Sequence, residues 1–422
     1  MNIKKQKQGK IMIKAQRGTK DILGDEILIW QKIENSAKEV FQNACFNRIQ
    51  TPIFEATELF NRGVGDSTDI VNKEMYTFCV GGINKDETSI TLRPENTAGV
   101  VRSYIEHNIQ RQSPPQKFWY FGPMFRYERP QAGRQRQFHQ VGVEMFGVAD
   151  AAADAEVIMT AVELLKSLGL NDLEVELNSL GCKNCKDDYK TSIKKVLEPY
   201  LEELCDDCKM RFEKNPLRIL DCKNENCQKI FEKEEVKKVI FGDYICEECK
   251  DHFDKLTSYL DNLNIKYSKN KLLVRGLDYY NRTVFEIKSN LLGSQSAVCG
   301  GGRYDGLVEM LGGQPTPAIG FAMGVERLAS LMEKIEPQKI DYYIVSNNTI
   351  EAMKLAQKLR RNGKTADYCT QNKKFTKQLE KASKVANKAL ILGEDEINQG
   401  FYSVKDLSTS EQNKVFDFEK LV

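Results

Sequence analysis

The chain has 422 residues, enough for two or three domains with substantial cores, and 62 basic against 60 acidic residues give a formal charge of +2. This balance neither requires nor excludes a nucleic-acid partner. The sequence contains no stretch with the length and apolarity of a membrane span or a signal peptide, so we expect a cytoplasmic protein without a membrane partner.

The first predicted elements follow a polar N-terminal stretch. Residues 1–12 could be a disordered extension or the product of a misread start. From Asp25 to Phe41, apolar residues recur at helical spacing and predict an opening helix. The run FNRIQTPIFEATELF predicts an extended edge segment, which a second subunit could cover, because Pro52 cannot donate a ladder hydrogen bond. TFCV predicts a strand, GGINKDE a hairpin turn, and Pro94 the first turn of a helix.

Charged residues occupy strand faces in residues 118–146, which read FWYFGPMFRYERPQAGRQRQFHQVGVEMF. Side chains alternate along a strand, so Arg126 and Glu128 share one face. Four residues share one face of the return strand: Phe138, Gln140, Gly142 and Glu144. Burying unpaired ions on a sheet is costly, so the pattern predicts a polar, charged ligand between these faces. We interpret Gly142 as leaving room for that ligand.

The second half of the chain divides by texture. Between residues 171 and 270 the chain is rich in Lys, Glu and paired cysteines, which indicates a helical insertion. After it, LLVRGLDYYNRTVFEI alternates as sheet and AIGFAMGVERLASLM runs from a strand into a helix. The charged stretch MEKIEPQKI marks a linker. Strands and helices then alternate over residues 335–422, which predicts a small α/β domain.

Twelve cysteines in a chain without a secretion signal are expected to be reduced. Four are isolated and are predicted to be small buried core residues: Cys45, Cys79, Cys299 and Cys369. The other eight form four close pairs in the insertion: Cys182 with Cys185, Cys205 with Cys208, Cys222 with Cys227, and Cys246 with Cys249. This is the spacing of thiolate zinc ligands, and eight sulfurs could fill two tetrahedral sites or leave some unused. We favour structural zinc over free thiols, because a small helical insertion has little core of its own.

Arginine dominates the basic residues near the charged strand faces. Arg126, the loop 129–136, Arg275 and Arg327 offer guanidinium groups, which bind phosphate or carboxylate with two parallel hydrogen bonds. The sequence has neither a GxxxxGK[ST] loop nor a kinase-type glycine-rich loop, so a P-loop or kinase interpretation loses its main support. Another kind of phosphoryl chemistry is indicated, although each arginine taken alone could be a surface ion-pair residue.

The sequence resembles one family over nearly its whole length. TLRPENTAG, FGPMFRYERPQAGRQRQFHQVGVEMFG, LVRGLDYYNRTVFE and AIGFAMGVERL resemble the class II aminoacyl-tRNA synthetase motifs as they occur in the histidyl-tRNA synthetase family. FNRIQTPIFE resembles the dimer-forming first motif, FRYE the second and GVERL the third. LVRGLDYYNRTVFE resembles a signature peculiar to the histidine enzymes. The segments together are specific, whereas GVERL alone would mean little.

The resemblance implies a fold and a reaction. The fold would be α/β, with a mixed, mainly antiparallel sheet flanked by helices, a helical Cys-rich insertion and a C-terminal α/β anticodon-binding domain. Residues 13–170 and 271–334 would form the two parts of the catalytic domain, residues 171–270 the insertion, and residues 335–422 the anticodon-binding domain. The chain would be a homodimeric ligase that makes histidyl-adenylate from L-histidine and ATP and then transfers histidine to tRNA(His).

The resemblance also implies an ATP site. Its residues would be Arg126 on the α-phosphate, Glu128 on the adenine amino group, Phe138 stacked on the base and Arg327 on the γ-phosphate. Arg275 would lie against the α-phosphate and the attacking carboxylate, so the catalytic residues would be Arg126, Arg275 and Arg327. Fixed positive charge of this kind stabilises the charge that develops in an in-line displacement. Mg²⁺ would accompany ATP on its β- and γ-phosphates.

The implied histidine site has eight residues: Glu95, Thr97, Arg126, Gln140, Glu144, Arg275, Tyr279 and Tyr280. The α-amino group would be held by Glu95, Thr97 and Gln140. The imidazole would contact Glu144 and Tyr280, with Tyr279 beside them, because its two nitrogens need an acceptor and a donor. Tyr304 could close this pocket. The glycine run 300–302 would either let backbone approach the ligand or form a tight bend.

The implied tRNA contacts lie in two places. Arg129, Gln131 and Arg134 resemble the loop that reads the acceptor end, although a solvated loop explains them too. The C-terminal unit resembles an anticodon-binding domain, and its lysines fit either phosphate contacts or a solvated helix face.

Two alternatives are weaker. A synthetase-like regulatory or binding paralogue would usually lack the anticodon domain or the signature residues, and a class II synthetase for another amino acid would have to explain RGLDYY.

Overall fold

The computed structural model describes residues 13–65, 68–80, 88–129, 134–289, 297–371 and 373–422. The predicted extension at residues 1–12 and the predicted GGINKDE turn lie outside these ranges. Internal contacts divide the chain into two compact units, one ending at Lys334 and the other spanning Ile335–Val422. Among the helices that the structure describes, none combines the length and the apolarity that a bilayer crossing requires.

The first unit contains two sheets and the helices around them. Its strands are β1 (Asn47–Arg48), β2 (Phe54–Ala56), β3 (Tyr76–Val80), β4 (Thr88–Leu92), β5 (Gln116–Phe125), β6 (Gln137–Phe146), β7 (Leu173–Ser179), β8 (Tyr267–Lys269), β9 (Asn281–Ser289), β10 (Ala297–Arg303) and β11 (Ala318–Gly324). Its helices are α1 (Asp25–Asn43), α2 (Thr57–Val64), α3 (Thr97–Glu106), α4 (Ala151–Ser167), α5 (Lys183–Leu197), α6 (Asp206–Lys214), α7 (Glu225–Phe231), α8 (Glu234–Ile240), α9 (Glu247–Asn262), α10 (Leu307–Met310) and α11 (Val325–Leu331).

The larger sheet has the order β1-β5-β6-β11-β10-β9-β7-β8 within the described residues. Only its two outermost pairs, β1 with β5 and β7 with β8, are parallel, and the inner pairs are antiparallel. A smaller antiparallel sheet has the order β2-β4-β3. The mixed, mainly antiparallel sheet flanked by helices confirms the predicted fold class.

The two faces of the large sheet differ in side-chain size. One face contributes to the main apolar core with helices α1, α4 and α11, through residues such as Val141, Val143, Met145, Phe321 and Met323. The other face is lined with glycines where β6, β11, β10 and β9 meet: Gly142, Gly300, Gly302, Gly320 and Gly324. Because side chains alternate along strands, the same pattern that builds the core on one side leaves an open floor on the other.

The predicted strand pair at residues 118–146 is present as the antiparallel hairpin β5–β6. Its register places Phe118 opposite Glu144, and Tyr120 opposite Gly142. Strand β5 ends at Phe125, so Arg126 and Glu128 belong to the loop rather than to the strand face. The backbone N–H of Arg126 still donates to the carbonyl oxygen of Arg136, 2.9 Å away, which keeps the start of this loop closed.

Two segments predicted as extended are partly different. TELFNRGV forms helix α2, because Leu59, Phe60 and Val64 lie on one helical face that is buried with Ala98. The first half of LLVRGLDYYNRTVFEI is an irregular loop, and strand β9 begins only at Asn281. The alternating pattern there reflects side chains that face a cavity from a loop.

The predicted insertion, residues 171–270, includes two strands that belong to the large sheet. LEVELNS forms β7, which pairs with β9 inside the large sheet, and Tyr267–Lys269 forms β8 at its edge. The apolar alternation of LEVELNS is satisfied by sheet pairing. Helix α9 also packs on the sheet unit, where His252 Nε2 lies 2.8 Å from Oδ2 of the buried Asp154. The insertion therefore leaves the sheet after Ser179 and returns through α9 to β8.

The isolated cysteines are only partly buried as predicted. Cys299 lies in the core and Cys369 is half-buried, but Cys45 and Cys79 are exposed. Cys45 occupies a turn after α1 with a φ of 62°. Cys79 lies on the three-stranded sheet, which is open to solvent at β3.

The second unit has a five-stranded sheet of order β13-β12-β14-β15-β16. Its strands are β12 (Ile340–Ser346), β13 (Ala366–Tyr368), β14 (Ala386–Leu392), β15 (Tyr402–Asp406) and β16 (Gln412–Val415), and its helices are α12 (Thr349–Arg361), α13 (Phe375–Val385) and α14 (Glu394–Gln399). Strand β12 is parallel to both neighbours, and helices α12 and α13 cover the sheet through two apolar clusters. This is a small α/β unit with an antiparallel edge.

Candidate active site

A cavity of about 260 Å³ opens above the glycine floor of the large sheet. The sequence-predicted ATP and histidine residues all line it: Glu95, Thr97, Arg126, Glu128, Phe138, Gln140, Glu144, Arg275, Tyr279, Tyr280 and Arg327. They come from the loop before α3, from the β5–β6 hairpin, from the loop before β9 and from α11. Residues that are distant in sequence therefore meet at one place on the sheet.

The buried end of the cavity is built around Glu144, which is 1% exposed. One carboxylate oxygen accepts a hydrogen bond from Thr97 Oγ1 at 2.7 Å, and the other accepts one from the phenol of Tyr304 at 2.5 Å. Tyr120 donates a longer bond of 3.3 Å. Burial raises the pKa of Glu144 to about 8, and the hydrogen bonds from Tyr304 and Thr97 oppose part of that rise.

Two glycines make room for Glu144 and the side chains around it. The position of one of them, Gly142, shows that its sequence-based interpretation was wrong. A Cβ at Gly142 would lie 2.6 Å from the phenol oxygen of Tyr120, so Gly142 makes room for Tyr120 and not for a ligand. A Cβ at Gly320 would overlap the carboxylate of Glu144. The space that these two glycines leave is therefore filled by Tyr120 and by the carboxyl group of Glu144.

Glu95 caps helix α3. Its carboxylate accepts the backbone N–H of Thr97 at 2.7 Å and that of Ala98 at 2.9 Å. Such a position at a helix N-terminus satisfies amide donors that would otherwise lack partners. Burial raises the pKa of Glu95, and the two amide bonds lower it in part. The two hydrogen bonds hold the Glu95 carboxylate in place at the cavity wall.

Gln140 presents an unused acceptor. Among the described residues its Oε1 atom is buried without a hydrogen-bond partner, although Gln140 lines the cavity. Leaving a buried amide oxygen unpaired costs about 1–3 kcal/mol. A ligand with an N–H group would satisfy it.

The open end of the cavity combines an aromatic ring with charge. The guanidinium of Arg126 lies 5.2 Å from the ring centroid of Phe138, and its Nε donates to the carbonyl oxygen of Pro94 at 2.8 Å. Glu128 accepts from Arg134 at 3.0 Å. The structure thus brings Arg134 to the rim of this cavity, whereas Arg129 is exposed in a shallow depression with Arg17 and Arg136. Gln131 lies outside the described residues.

Arg275 lines the cavity and pairs with Glu286 of β9. A Cβ at Gly300 would lie 2.7 Å from Nη1 of Arg275 and closer still to Nη2. Gly300 lies inside strand β10, so the glycine run does not form a tight bend there, and Gly300 lines the cavity. It provides the space for the guanidinium.

Arg327, at the start of α11, donates from Nη1 to the carbonyl oxygen of Ala297 at 2.6 Å. Burial lowers the pKa of Arg327, and the nearby Arg134 lowers it further. A partly buried guanidinium beside another cation favours an anionic ligand, because the anion would offset the repulsion.

Three tyrosines close the inner end. The ring of Tyr279 lies 4.7 Å from that of Tyr280 and 5.6 Å from that of Tyr304. Burial raises the pKa of Tyr280 to about 12, so its phenol stays protonated and can donate.

Sequence reasoning missed two acidic residues that line the cavity, Glu286 and Glu326, and it also missed Tyr120, which contacts Glu144. Tyr120 lies opposite Gly142 and two residues from the position opposite Glu144, so strand alternation in β5 could have identified it. Glu326 accepts the backbone N–H of His139 at 2.9 Å, and Glu286 pairs with Arg275 across two elements. These contacts of Glu326 and Glu286 depend on the tertiary fold, and no local sequence signal marks them.

The eight paired cysteines meet in two groups. Cys182, Cys185, Cys246 and Cys249 form the outer cluster, and Cys205, Cys208, Cys222 and Cys227 form the inner cluster. The sulfur atoms of each cluster lie within 4.8 Å of one another. In the outer cluster the N–H of Cys182 points to the sulfur of Cys249 and that of Cys246 to the sulfur of Cys185, each at 3.1 Å. Each cluster could hold a metal ion.

Comparisons with known proteins agree with the geometry. The family model described as "Histidyl-tRNA synthetase" matches residues 18–184 and 214–328, and the model described as "Anticodon binding domain" matches residues 342–422. The histidine–tRNA ligase of Halothermothrix orenii is 47% identical over 425 residues, which cover 97% of this chain and 100% of that protein.

Solved structures show the same relationship. The apo histidyl-tRNA synthetase of S. aureus matches with a TM-score of 0.77 and 37% identity, over 96% of this chain and 97% of that one. A protein of Bacillus halodurans C, named as an ATP phosphoribosyltransferase regulatory subunit/histidyl-tRNA synthetase, matches with a TM-score of 0.65 over 91% of this chain and 99% of that one. At 21% identity, this second match shows the fold alone. On the evidence of the catalytic and anticodon-binding models and of relatives aligned over nearly the full length, the chain belongs to the histidyl-tRNA synthetase family, whose members are ligases.

Proposed function

We propose that the cavity binds L-histidine at its buried end and ATP at its arginine-rich end, and that it carries out the family's two-step reaction. The first step makes histidyl-adenylate and releases pyrophosphate. The second step transfers histidine to the terminal ribose of tRNA(His). The observation that supports this most directly is a buried carboxylate, Glu144, in one small cavity with three guanidinium groups, those of Arg126, Arg275 and Arg327.

ATP would enter between Phe138 and Arg327. The base would stack on Phe138, and its amino group would donate to Glu128, whose carboxylate Arg134 holds in place. Arg327 would bind the γ-phosphate, because its guanidinium is partly buried beside a second cation. Bidentate guanidinium contacts both bind and orient a triphosphate.

Adenylate formation needs the histidine carboxylate to attack the α-phosphorus while pyrophosphate leaves. Arg126 and Arg275 would neutralise the charge that develops on the α-phosphate oxygens, and Arg275 would also align the attacking carboxylate. Arg275 is fixed for this task by Glu286 and by the space at Gly300. Fixed donors of this type lower a barrier without reorganising during the reaction.

Histidine would be recognised at both of its ends. Its α-ammonium group would donate to Gln140 Oε1, which is buried without a partner among the described residues, and to the oxygens of Glu95 and Thr97. Its ring would donate to Glu144 and accept from Tyr280, with Tyr279 packed alongside. An amino acid without two ring nitrogens would leave these buried groups unpaired, which disfavours its binding.

Mg²⁺ would accompany ATP. Glu128 and Glu286 are close enough to Arg327 to raise its pKa against the effect of burial, so carboxylate oxygens lie at the phosphate end. Carboxylate, phosphate and water oxygens are the ligands that Mg²⁺ prefers. When bound, the ion would offset charge on the β- and γ-phosphates.

Two parts of the chain would contact the tRNA. We propose that Arg129, Arg134 and Gln131 face its acceptor end, since Arg134 lines the rim of the cavity and Arg129 is exposed. The unit Ile335–Val422 would bind the anticodon, as the matching domain model suggests. A reaction on tRNA also fits a cytoplasmic protein.

Zinc would stabilise the insertion. Each cluster offers four sulfurs at mutual distances that suit one tetrahedral ion, and backbone N–H groups point at several of those sulfurs. The role would be structural, because all four positions of each site are filled by protein ligands.

A second copy of the chain would cover the small sheet. Phe54, Phe78 and Val80 share one face by the register of β2, β4 and β3, and they are 57%, 47% and 53% exposed. An apolar face of this kind is typical of a subunit interface. The homodimer would bury it.

A regulatory paralogue without aminoacylation is less favoured. The complete set of predicted cavity residues and the anticodon-binding model both argue against it. Pyrophosphate exchange with each of the twenty amino acids tests the proposal: exchange should occur with histidine and need ATP. Exchange with none, or preferentially with another amino acid, would refute it.

A further inference from the structure

The loop of residues 275–280 carries three cavity residues, Arg275, Tyr279 and Tyr280, yet it has no regular secondary structure. It lies between β8 and β9. Its conformation therefore depends on contacts from other parts of the unit. Two side chains of the Cys-rich insertion provide such contacts.

Lys186, in the first turn of α5, holds the loop from its backbone. Its ammonium donates to the carbonyl oxygens of Asp278 and Tyr280, each at 2.7 Å. These two carbonyls belong to the residues on either side of Tyr279. One cation thus fixes the peptide groups that set the directions of the Tyr279 and Tyr280 rings.

Asn215 holds the same loop from a side chain. Its Nδ2 group donates to Oδ1 of Asp278, and Asn215 is only 7% exposed. The carboxylate of Asp278 in turn packs at Gly65, where a Cβ would lie 2.7 Å from Oδ2 of Asp278. The inner part of the insertion, which follows α6, therefore meets the pocket loop at a second point.

We infer that Lys186 and Asn215 are positioning residues for histidine binding, acting through Tyr279 and Tyr280. The insertion would then support the amino-acid pocket without lining it. Neither residue touches the cavity itself. The inference rests on the proposed histidine site, and it extends that site to residues that lie more than 60 positions earlier in the chain.

The test is pyrophosphate exchange with the full chain and separate titrations of histidine and ATP. Lys186→Met removes both donors, and we expect KM for histidine to rise about tenfold, the loss of about 1.4 kcal/mol of binding. Asn215→Ala should raise it about threefold. KM for ATP should stay within about twofold in both, because the loop's tyrosines face the amino acid.

Lys186→Arg retains charge and donors, so it should recover most of the histidine affinity. Lys195→Met is the matched control, since Lys195 is an exposed residue of the same helix. A folded Lys186→Met with unchanged KM for histidine would overturn the inference, and so would equal rises in both KM values. If Lys186→Met does not fold, Asn215→Ala gives the same decision. Absence of histidine-dependent exchange in the unmodified chain would instead refute the proposed function.

Discussion

Gly300 and Arg275 share one volume: the guanidinium of Arg275 lies where a side chain at position 300 would begin. Glycine at position 300 of β10 therefore leaves space for Arg275, 25 positions earlier. Glu286 of the neighbouring strand β9 pairs with that arginine. Arg275, the proposed catalytic arginine, is therefore positioned by the missing side chain at Gly300 and by the carboxylate of Glu286.

Gly300→Ala should displace Arg275 and slow adenylate formation. We expect kcat for histidine-dependent pyrophosphate exchange to fall about 100-fold, the usual effect of losing one fixed donor to a developing charge. Gly306→Ala is the control, because a Cβ at Gly306 meets nothing within 4 Å. Equal activity in the two variants would show that Arg275 does not act on the reacting phosphate.

Glu144→Gln should weaken histidine recognition. The amide has one acceptor oxygen instead of two, and its N–H group would face a hydroxyl donor, that of Thr97 or Tyr304. We expect kcat/KM for histidine to fall about 100-fold, with KM for ATP nearly unchanged. Glu163→Gln, an exposed change on α4, should behave as the unmodified chain. A parallel loss of ATP affinity would contradict the assignment.

The same carboxyl should make stability depend on pH. The pKa of Glu144 rises from 4.5 to about 8 in the folded chain without ligand, so between these values the folded state keeps a proton that the unfolded state releases. The free energy of unfolding should therefore fall as pH rises through this window, by up to about 1.4 kcal/mol per pH unit from this group. In urea unfolding, the free energy of unfolding of the unmodified chain should fall relative to that of Glu144→Gln as pH rises from 5 to 8. If the difference between the two free energies of unfolding did not change with pH, the raised pKa of Glu144 would be refuted.

Metal analysis should find two zinc ions per chain. We expect Cys249→Ser and Cys208→Ser each to lose one, and chelation to lower the unfolding temperature by about 5 °C or more, because each cluster joins separate segments of the insertion. Cys45→Ser is the control, since Cys45 is exposed and isolated from both clusters. A folded, metal-free protein with the same unfolding temperature would disprove structural zinc.

Phe54→Glu should weaken the dimer. A charge on the apolar face of the small sheet would be buried without a partner on association. Sedimentation at several concentrations should show a shift toward monomer, whereas Ile350→Glu, an exposed apolar position of the second unit, should leave the distribution unchanged. A monomeric unmodified chain would exclude the proposed interface.

Much of the fold could be predicted because its signals are local. Strand alternation placed Gln140 and Glu144 on one face, and the β5–β6 register bears this out. The C-terminal alternation of strands and helices predicted the second unit. The clustering of arginines indicated anionic chemistry, but the particular roles of Arg275 and Tyr280 came from the family resemblance, because a loop before a strand carries no periodic signal.

The remainder depended on which elements become neighbours. The predicted insertion began at residue 171, although the strand LEVELNS at residues 173–179 pairs with β9. Gly142 was interpreted as ligand space, although Tyr120 occupies that space. The cysteine spacing gave four pairs, but it could not tell which pairs combine, since that requires the positions of α5 and α9. Lys186 had no signal at all among the many lysines of the insertion.

The order of the two cysteine clusters along the chain has a topological consequence. The outer cluster joins residues 182–185 to residues 246–249, and the inner cluster lies wholly between them. The outer cluster therefore brings the end of the insertion back close to its beginning, whatever the length of the chain between them. Between these two ends the insertion also contacts the sheet unit, where Asn215 bonds to Asp278 and Arg211 and Arg218 pair with Asp69. Only those parts of the insertion that make neither kind of contact are free to differ in length while the strands on either side stay in register.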